Sequence, residues 1–176
     1  MIIENDHFYH INIPINYIDN VHEALKYASW YTSKTGQCRS EITGETRALI
    51  QNSVPFEISC CGFYKNEPGW KYTIHKDYTR FTALNILLVD NSDDYQVYTY
   101  SDKLEKKLNI PYIKNEPMLL NTKKFHSVHN TSKETIRYVL TVGCNTETYE
   151  VIRDRFKQMT IDQQHKDICT LSEDSI

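Results

Sequence analysis

The sequence contains few residues that interrupt regular structure, and it has no long apolar segment. Its 176 residues include only five glycines and five prolines, so the composition is not that of a linker or a low-complexity repeat. The longest uninterrupted apolar run is the four residues Ile86–Val89, far short of the roughly 20 residues that a membrane-spanning helix needs. The first residues lack a basic segment followed by an apolar one, so we expect no secretory signal and no membrane partner.

Neither the net charge nor the spacing of the cysteines indicates a particular class of protein. Twenty basic and 23 acidic side chains give a formal charge of −3, which provides no electrostatic reason to expect nucleic-acid binding. Five cysteines, an odd number without a Cys-x-x-Cys pair, form neither a disulfide framework nor a recognisable zinc motif. We therefore expect a single domain over residues 1–176 in a reducing compartment, the cytoplasm, or the host cytoplasm if the source is viral.

The middle of the chain is a series of short apolar runs separated by turn residues such as those of Asn66–Gly69 and Asn91–Asp94. A first strand is predicted over His7–Ile15, followed by a helix from Asp19 to Tyr31 and a loop over 32–44. Further strands are predicted over Ala48–Gln51, Phe56–Tyr64, Trp70–Ile74, Phe81–Val89, Gln96–Tyr100, Met118–Leu120, Phe125–His129 and Thr135–Val142.

A second helix is predicted from Thr146 to about Met159, with a loose tail over about 160–176. The strands follow one another too closely for parallel strand–helix–strand units, which need a dozen or more residues for each crossover. The prediction is a mainly β, antiparallel jelly roll or small barrel, with flanking helices near both ends.

A candidate metal site begins with His75 and Asp77, which stand two residues apart and can present an imidazole and a carboxylate to one point. Such a pair also arises by chance as an ordinary surface pair. His126, on a later predicted strand, adds a second imidazole. Two histidines and one carboxylate that leave three positions of a metal open are typical of non-haem Fe(II) oxygenases. His129 is an alternative to His126, but the two have opposite parity on a straight strand, so only one can face inward.

Arg137 follows His126 by eleven residues, in a predicted strand of β-branched and aromatic side chains. An arginine in such surroundings is costly to bury unless a carboxylate meets its guanidinium group. If the chain turns near Ser132, Arg137 returns beside His126 with its donors near the metal. A dicarboxylate such as 2-oxoglutarate would bind the arginine at one end and the metal at the other.

Taken in order, these segments resemble the Fe(II)/2-oxoglutarate-dependent oxygenases, in particular small phage-type members and those related to the aspartyl/asparaginyl β-hydroxylases. The resemblance rests on His75 and Asp77, on Ala-Leu-Asn-Ile-Leu-Leu around Asn85, on His126-Ser-Val, and on Arg137; it covers residues 70–143. It implies a double-stranded β-helix of the cupin-like type. It further implies that His75, Asp77 and His126 bind Fe(II), that Arg137 holds the 5-carboxylate of 2-oxoglutarate, and that Asn85 lies near this cosubstrate. The His-x-Val pattern favours His126 over His129.

The activity implied by the resemblance is hydroxylation of an unidentified small-molecule or peptide substrate by O2, with release of succinate and CO2. One alternative is a cupin-type metalloenzyme that does not use 2-oxoglutarate, which would leave Arg137 without a partner. Another is a non-enzymatic β-sandwich that binds a partner or serves a structural role, in which case the order of the motif residues is a coincidence.

Overall fold

The chain forms two antiparallel β-sheets that face each other, with helices packed outside one of them. The computed structural model describes residues 6–12, 16–33, 36–89, 94–105 and 107–173, with side chains described as far as residue 163. In chain order the elements of these residues are β1 (Phe8–His10), α1 (Ile18–Lys26), β2 (Tyr31–Thr32), β3 (Cys38–Glu41), α2 (Gly44–Ser53), β4 (Cys60–Asn66), β5 (Lys71–His75), β6 (Thr82–Leu87), β7 (Tyr95–Tyr100), β8 (Lys107–Asn109), β9 (Pro117–Asn121), β10 (His126–Asn130), β11 (Arg137–Cys144) and α3 (Tyr149–Glu173).

The two sheets are interleaved along the chain. The larger sheet has the strand order β1-β9-β6-β11-β4-β3-β2, and the smaller sheet has the order β5-β10-β7-β8. All pairs of neighbouring strands are antiparallel. From β4 to β11 the chain passes repeatedly between the sheets, which makes the fold a double-stranded β-helix. This confirms the prediction of a mainly β jelly roll.

Each face of the larger sheet covers a separate core. Leu140 and Val142 of β11 belong to the outer core, together with residues of the three helices. Val139 belongs to the core between the sheets, with Leu87 and Val97. Because side chains alternate along a strand, Arg137, Thr141 and Gly143 share the inner face of β11 with Val139. This alternation brings the polar residues of β11 into the interior of the barrel.

One predicted strand is wrong. Residues 48–51 lie in α2, which begins at Gly44 after an extended Thr43. A short apolar run such as Ala-Leu-Ile fits a helix and a strand equally well by pattern, and tertiary packing decides between them. Ile50 is fully buried against the outer core, and the Gln51 side chain holds the returning chain through hydrogen bonds to Phe56 and Ile58.

Other boundaries also differ from the predictions. The first helix ends at Lys26, and the predicted loop over 32–44 contains β3, whose polar residues lack the alternation that marks a strand. Strand β8 was not predicted, and α3 continues through Glu173, where a loose tail was predicted from about residue 160. Residues 13–15 of the first predicted strand, 91–93 of the predicted turn and 174–176 of the tail lie outside the described residues. No helix in the described part of the chain is both long and apolar enough to cross a membrane.

Gly62 is required where β3 joins the sheet beside β4. A Cβ atom at this position would lie 2.7 Å from the backbone oxygen of Ser40, inside van der Waals contact. Gly62→Ala should therefore push β3 away from β4 and lower the free energy of unfolding by about 1–3 kcal/mol, as measured by chemical denaturation. Lys71→Ala, at an exposed strand position, is the control and should change it by less than about 0.5 kcal/mol. Equal stabilities of the two variants would contradict the close approach of β3.

Candidate metal centre

The pairing of β10 with β5 brings two of the predicted ligands together. His126 lies directly opposite His75 in this pair, and a register shift follows before Val128 pairs with Tyr72. Asp77 lies just beyond the end of β5, where its backbone N–H donates to the Thr122 carbonyl at 2.9 Å. One ligand atom from each of His75, Asp77 and His126 lies within 4.8 Å of the others. His126 therefore converges on one point with His75 and Asp77, although it is distant from them in sequence.

Hydrogen bonds to backbone carbonyls orient both imidazoles. Nδ1 of His75 lies 2.8 Å from the Thr73 oxygen, and Nδ1 of His126 lies 2.9 Å from the Lys124 oxygen. A carbonyl oxygen only accepts, so Nδ1 of each ring carries a proton, and Nε2 is the nitrogen left for a ligand. Burial, followed by the nearby His75, lowers the pKa of His126 to about 4, so this ring is neutral at pH 7. Histidines held in this way by a second hydrogen bond are typical of metal ligands.

The Asp77 carboxylate is held by Arg80. Oδ2 of Asp77 accepts from Nε of Arg80 at 2.8 Å and from Nη2 at 2.6 Å. Oδ1 is left beside the histidines, 3.6 Å from Nε2 of His75. Gly143 provides the space for this arginine, because a Cβ there would lie 2.7 Å from Cδ of Arg80. The spacing of three residues between Asp77 and Arg80 was the available signal.

His129 takes no part in this cluster. Strand β10 pairs with β7 without interruption from His126 to Asn130, so its side chains alternate regularly. Val128 packs against the core between the sheets and His126 is buried, whereas His129, between Val128 and Asn130, belongs to the opposite face. Of the two histidines left open by the sequence, the structure brings His126 to His75 and Asp77.

Arg137 lies inside the barrel, four residues along β11 from Thr141, a separation of roughly 13 Å at 3.3 Å per residue. Its side chain is only 3% exposed. Nη1 donates to Oδ1 of Asn66 at 2.9 Å, and the guanidinium carbon lies 2.8 Å from the centre of the Tyr95 ring. Nε is buried without a hydrogen-bond partner, and no ion pair of Arg137 occurs among the described residues. Burial lowers the pKa of Arg137 to about 10.

A row of polar side chains, here called the polar row, crosses the interior from Thr141 through Asn85 and Tyr112 to Arg137. Thr141 donates to Oδ1 of Asn85 at 2.8 Å, and Nδ2 of Asn85 donates to the Tyr112 hydroxyl at 3.0 Å. The Tyr112 ring lies 5.7 Å from the guanidinium carbon of Arg137. Asn85 and Arg137 were predicted site residues, whereas Tyr112 and Thr141 carry no local motif and were missed.

An aromatic wall leads away from His75 along β5. The Tyr72 ring contacts the His75 ring edge-on at 4.1 Å, and Trp70 stacks on Tyr72 at 5.7 Å. Tyr72 and His75 are three residues apart, an odd number that would place them on opposite faces of a regular strand. The register shift between β5 and β10 turns them to the same side.

This chain is similar to known proteins in its structure and not in its sequence. No protein-family model matches the sequence, and no curated protein is similar to it. A prolyl-4-hydroxylase of Pseudomonas putida is similar with a TM-score of 0.58 and 12% identity over 80% of this chain and 91% of that chain. An oxidoreductase of the 2OG-Fe(II) oxygenase family from Burkholderia pseudomallei has a TM-score of 0.58 and 8% identity over 74% of this chain and 81% of that chain.

The same fold occurs in a structure of CENP-C from Drosophila melanogaster bound to CAL1, with a TM-score of 0.50 and 9% identity over 72% of this chain and 97% of that chain. At these identities the similarities establish the fold alone. Structural neighbours of this chain therefore include 2-oxoglutarate/Fe(II) oxygenases, and a His-Asp-His cluster is present at one end of its barrel.

The burial of Arg137 makes a testable prediction about stability. Burial disfavours its charged form, a cost on the order of 3 kcal/mol that is present below pH 10 and disappears as the pH rises from about 10 towards 12.5. Arg137→Met should therefore leave the free energy of unfolding at pH 7 unchanged or raise it by up to about 3 kcal/mol. Val139→Ala, on the same face, should lower it by about 2 kcal/mol. A large loss of stability in Arg137→Met would indicate that the arginine serves the fold instead of a ligand.

Proposed function

We propose that the protein is an Fe(II)- and 2-oxoglutarate-dependent oxygenase that hydroxylates a small-molecule or peptide substrate. The observation that carries this proposal is the combination of the His-Asp-His cluster with a buried arginine that has no acidic partner in the described structure. The polar row connects the two inside one barrel. A metal site alone would not require an arginine there.

The donor set at the cluster fits Fe(II). Nε2 of His75, Nε2 of His126 and Oδ1 of Asp77 are two neutral imidazole nitrogens and one carboxylate oxygen. This set on one side of a metal leaves three positions for other ligands, as in non-haem iron oxygenases. Arg80 would hold Asp77 to a single ligating oxygen, because it occupies Oδ2.

The polar row fits 2-oxoglutarate, which has a carboxylate at each end of a five-carbon chain. Arg137 would bind the far carboxylate, supplying its unpartnered Nε, and a carboxylate there would offset the cost of burying the guanidinium charge. Asn85, held by Thr141 and Tyr112, would contact the same molecule. When bound, iron supplies the oxidising chemistry that couples conversion of 2-oxoglutarate and O2 to succinate and CO2 with hydroxylation. The protein's own residues would bind and orient 2-oxoglutarate and the substrate, and would exclude water.

A binding module without enzymatic activity is the second candidate. The likeness to CENP-C bound to CAL1 supports it, since that protein uses the same fold in contact with another protein. A cupin-type metalloenzyme without 2-oxoglutarate is less well supported, because it gives no ligand to Arg137. Metal and 2-oxoglutarate binding separate the three candidates.

Asp77→Ala tests the metal site. It removes the one anionic donor of the cluster, so Fe(II) affinity and Fe(II)-dependent succinate production should fall at least tenfold. The protein should still show a cooperative melting transition, at a lower temperature because Arg80 loses its ion-pair partner. His126→Ala should act in the same direction. His129→Ala, on the opposite face of the same strand, is the matched control and should bind the metal as the unaltered protein does.

Two different results would contradict these assignments. If His129→Ala abolishes metal binding and His126→Ala does not, the choice of ligand is wrong. If the unaltered protein binds no divalent metal and makes no succinate with Fe(II), 2-oxoglutarate and O2 under any substrate tried, the enzyme proposal gives way to the binding module.

Arg137 tests the cosubstrate. Arg137→Lys replaces a planar fork by a point charge and should weaken 2-oxoglutarate binding, and Arg137→Ala should weaken it further. Binding is measured on the Mn(II)-loaded protein by calorimetry, with Mn(II) affinity as the check that the metal site is intact. Equal 2-oxoglutarate affinities in both variants and in the unaltered protein would refute the assignment of Arg137.

A further inference from the structure

A second polar cavity adjoins the candidate site on the inner face of β3 and β4. It has a volume of about 160 Å³, and its lining includes Arg39, Glu41, Arg47, Cys60, Tyr64 and Thr141. In the strand register Arg39 lies opposite Tyr64, and Gly62 lies between Glu41 and Thr141. Thr141 belongs both to this cavity and to the polar row. Whatever occupies the cavity therefore lies beside the proposed 2-oxoglutarate site.

Arg39 has neutral neighbours where an acidic partner would be expected. Its guanidinium carbon lies 5.1 Å from the centre of the Tyr31 ring. Nε of Arg39 is buried without a hydrogen-bond partner in the described structure. The nearby carboxylate of Glu41 accepts a hydrogen bond from the Tyr31 hydroxyl at 3.0 Å. No ion pair of Arg39 occurs among the residues described; its partly buried side chain has the hydroxyls of Tyr31 and Tyr64 as hydrogen-bond partners, which leaves the guanidinium without an acidic ion-pair partner.

Arg47 adds a second positive charge to the same cavity. It reaches the cavity from α2, and its Nη2 donates to the Ile58 carbonyl at 2.9 Å. That partner is neutral, and Arg47 forms no ion pair in the described part of the chain. Two guanidinium groups against one carboxylate leave the cavity with an excess of positive charge, and a buried donor without a partner costs free energy until an acceptor meets it.

We propose that this cavity binds an anionic group of the substrate, a carboxylate or a phosphate, and that Arg39 is its principal anchor. Both groups match the planar fork of an arginine and form charge-assisted hydrogen bonds with it. That the bound molecule is the substrate rests on the proposed function, because the cavity borders the polar row at Thr141. That the cavity binds an anion rests only on Arg39, Arg47 and the geometry of β3 and β4.

The size of the cavity limits what it holds. A volume of about 160 Å³ lies below the roughly 300–1,000 Å³ of pockets that enclose a drug-sized ligand. The cavity therefore accepts one charged end of a substrate, and the remainder extends towards the metal cluster.

The experiment measures anion binding with the 2-oxoglutarate site already filled. The protein is saturated with Mn(II) and 2-oxoglutarate, inorganic phosphate or acetate is titrated in place of chloride at constant ionic strength, and the dissociation constant is obtained from the rise in melting temperature. At least one of the two anions should stabilise the unaltered protein, and the one that binds more tightly identifies the chemical group. Arg39→Gln should weaken this binding about tenfold or more, and Arg39→Lys should weaken it less.

Arg155→Gln is the matched control, because Arg155 lies on α3 and pairs with Glu147; it should bind the anions as the unaltered protein does. Equal anion binding by Arg39→Gln, or no effect of either anion on a protein that binds Mn(II) and 2-oxoglutarate, would overturn the inference and leave the proposed function intact. If Mn(II) and 2-oxoglutarate do not bind, the proposed function fails instead, and the same titration of the metal-free protein still decides whether Arg39 holds an anion.

Discussion

The antiparallel pairing of β5 with β10 is the contact on which the candidate site depends. It places His126 opposite His75, although four further strands, β6, β7, β8 and β9, separate the two histidines in the chain. The same pair contains the register shift that turns Tyr72 to the side of His75. Asp77 follows directly because its backbone bonds to Thr122, a few residues before β10. A shift of β10 by one residue would turn His129 to the inner face and His126 to the opposite face. His126 would then no longer lie beside His75 and Asp77.

Some arginine side chains on the inner surface of the barrel have no acidic partner among the described residues. Arg80 is compensated by Asp77, whereas Arg137 and Arg39 each have a buried Nε without a hydrogen-bond partner. Unpaired buried donors reduce stability, and a bound ligand, ion or water is one explanation for such a group. The chain thus gives up stability at two separate points of its inner surface, one at the end of the polar row and one in the cavity beside Thr141.

The polar row and the cavity share strand β11, and the same strand borders Arg80, the residue that holds Asp77 of the cluster. Gly143 makes room for Arg80, Thr141 borders both the row and the cavity, and Arg137 ends the row. All three residues lie on the inner face of one strand that is central to the larger sheet. Because Leu140 and Val142 of the outer face are fully buried, the strand is held rigidly, and a rigid element positions polar groups more precisely than a loop does.

The sequence by itself determined the class of the fold and predicted that His75, Asp77 and His126 meet. Close strand spacing excluded parallel crossovers, and the order of His75, Asp77, His126 and Arg137 favoured one chemical arrangement over its alternatives. Tertiary structure decided everything that depends on partners distant in the chain. The run at 48–51 became helical because Ile50 packs against the outer core, and the polar strand β3 was recognised only through its pairing with β4. His126 rather than His129 lies beside His75, and Thr141 meets Asn85, because of strand register, and no local pattern encodes register between distant strands. Tyr112 reaches Asn85 from the segment between β8 and β9.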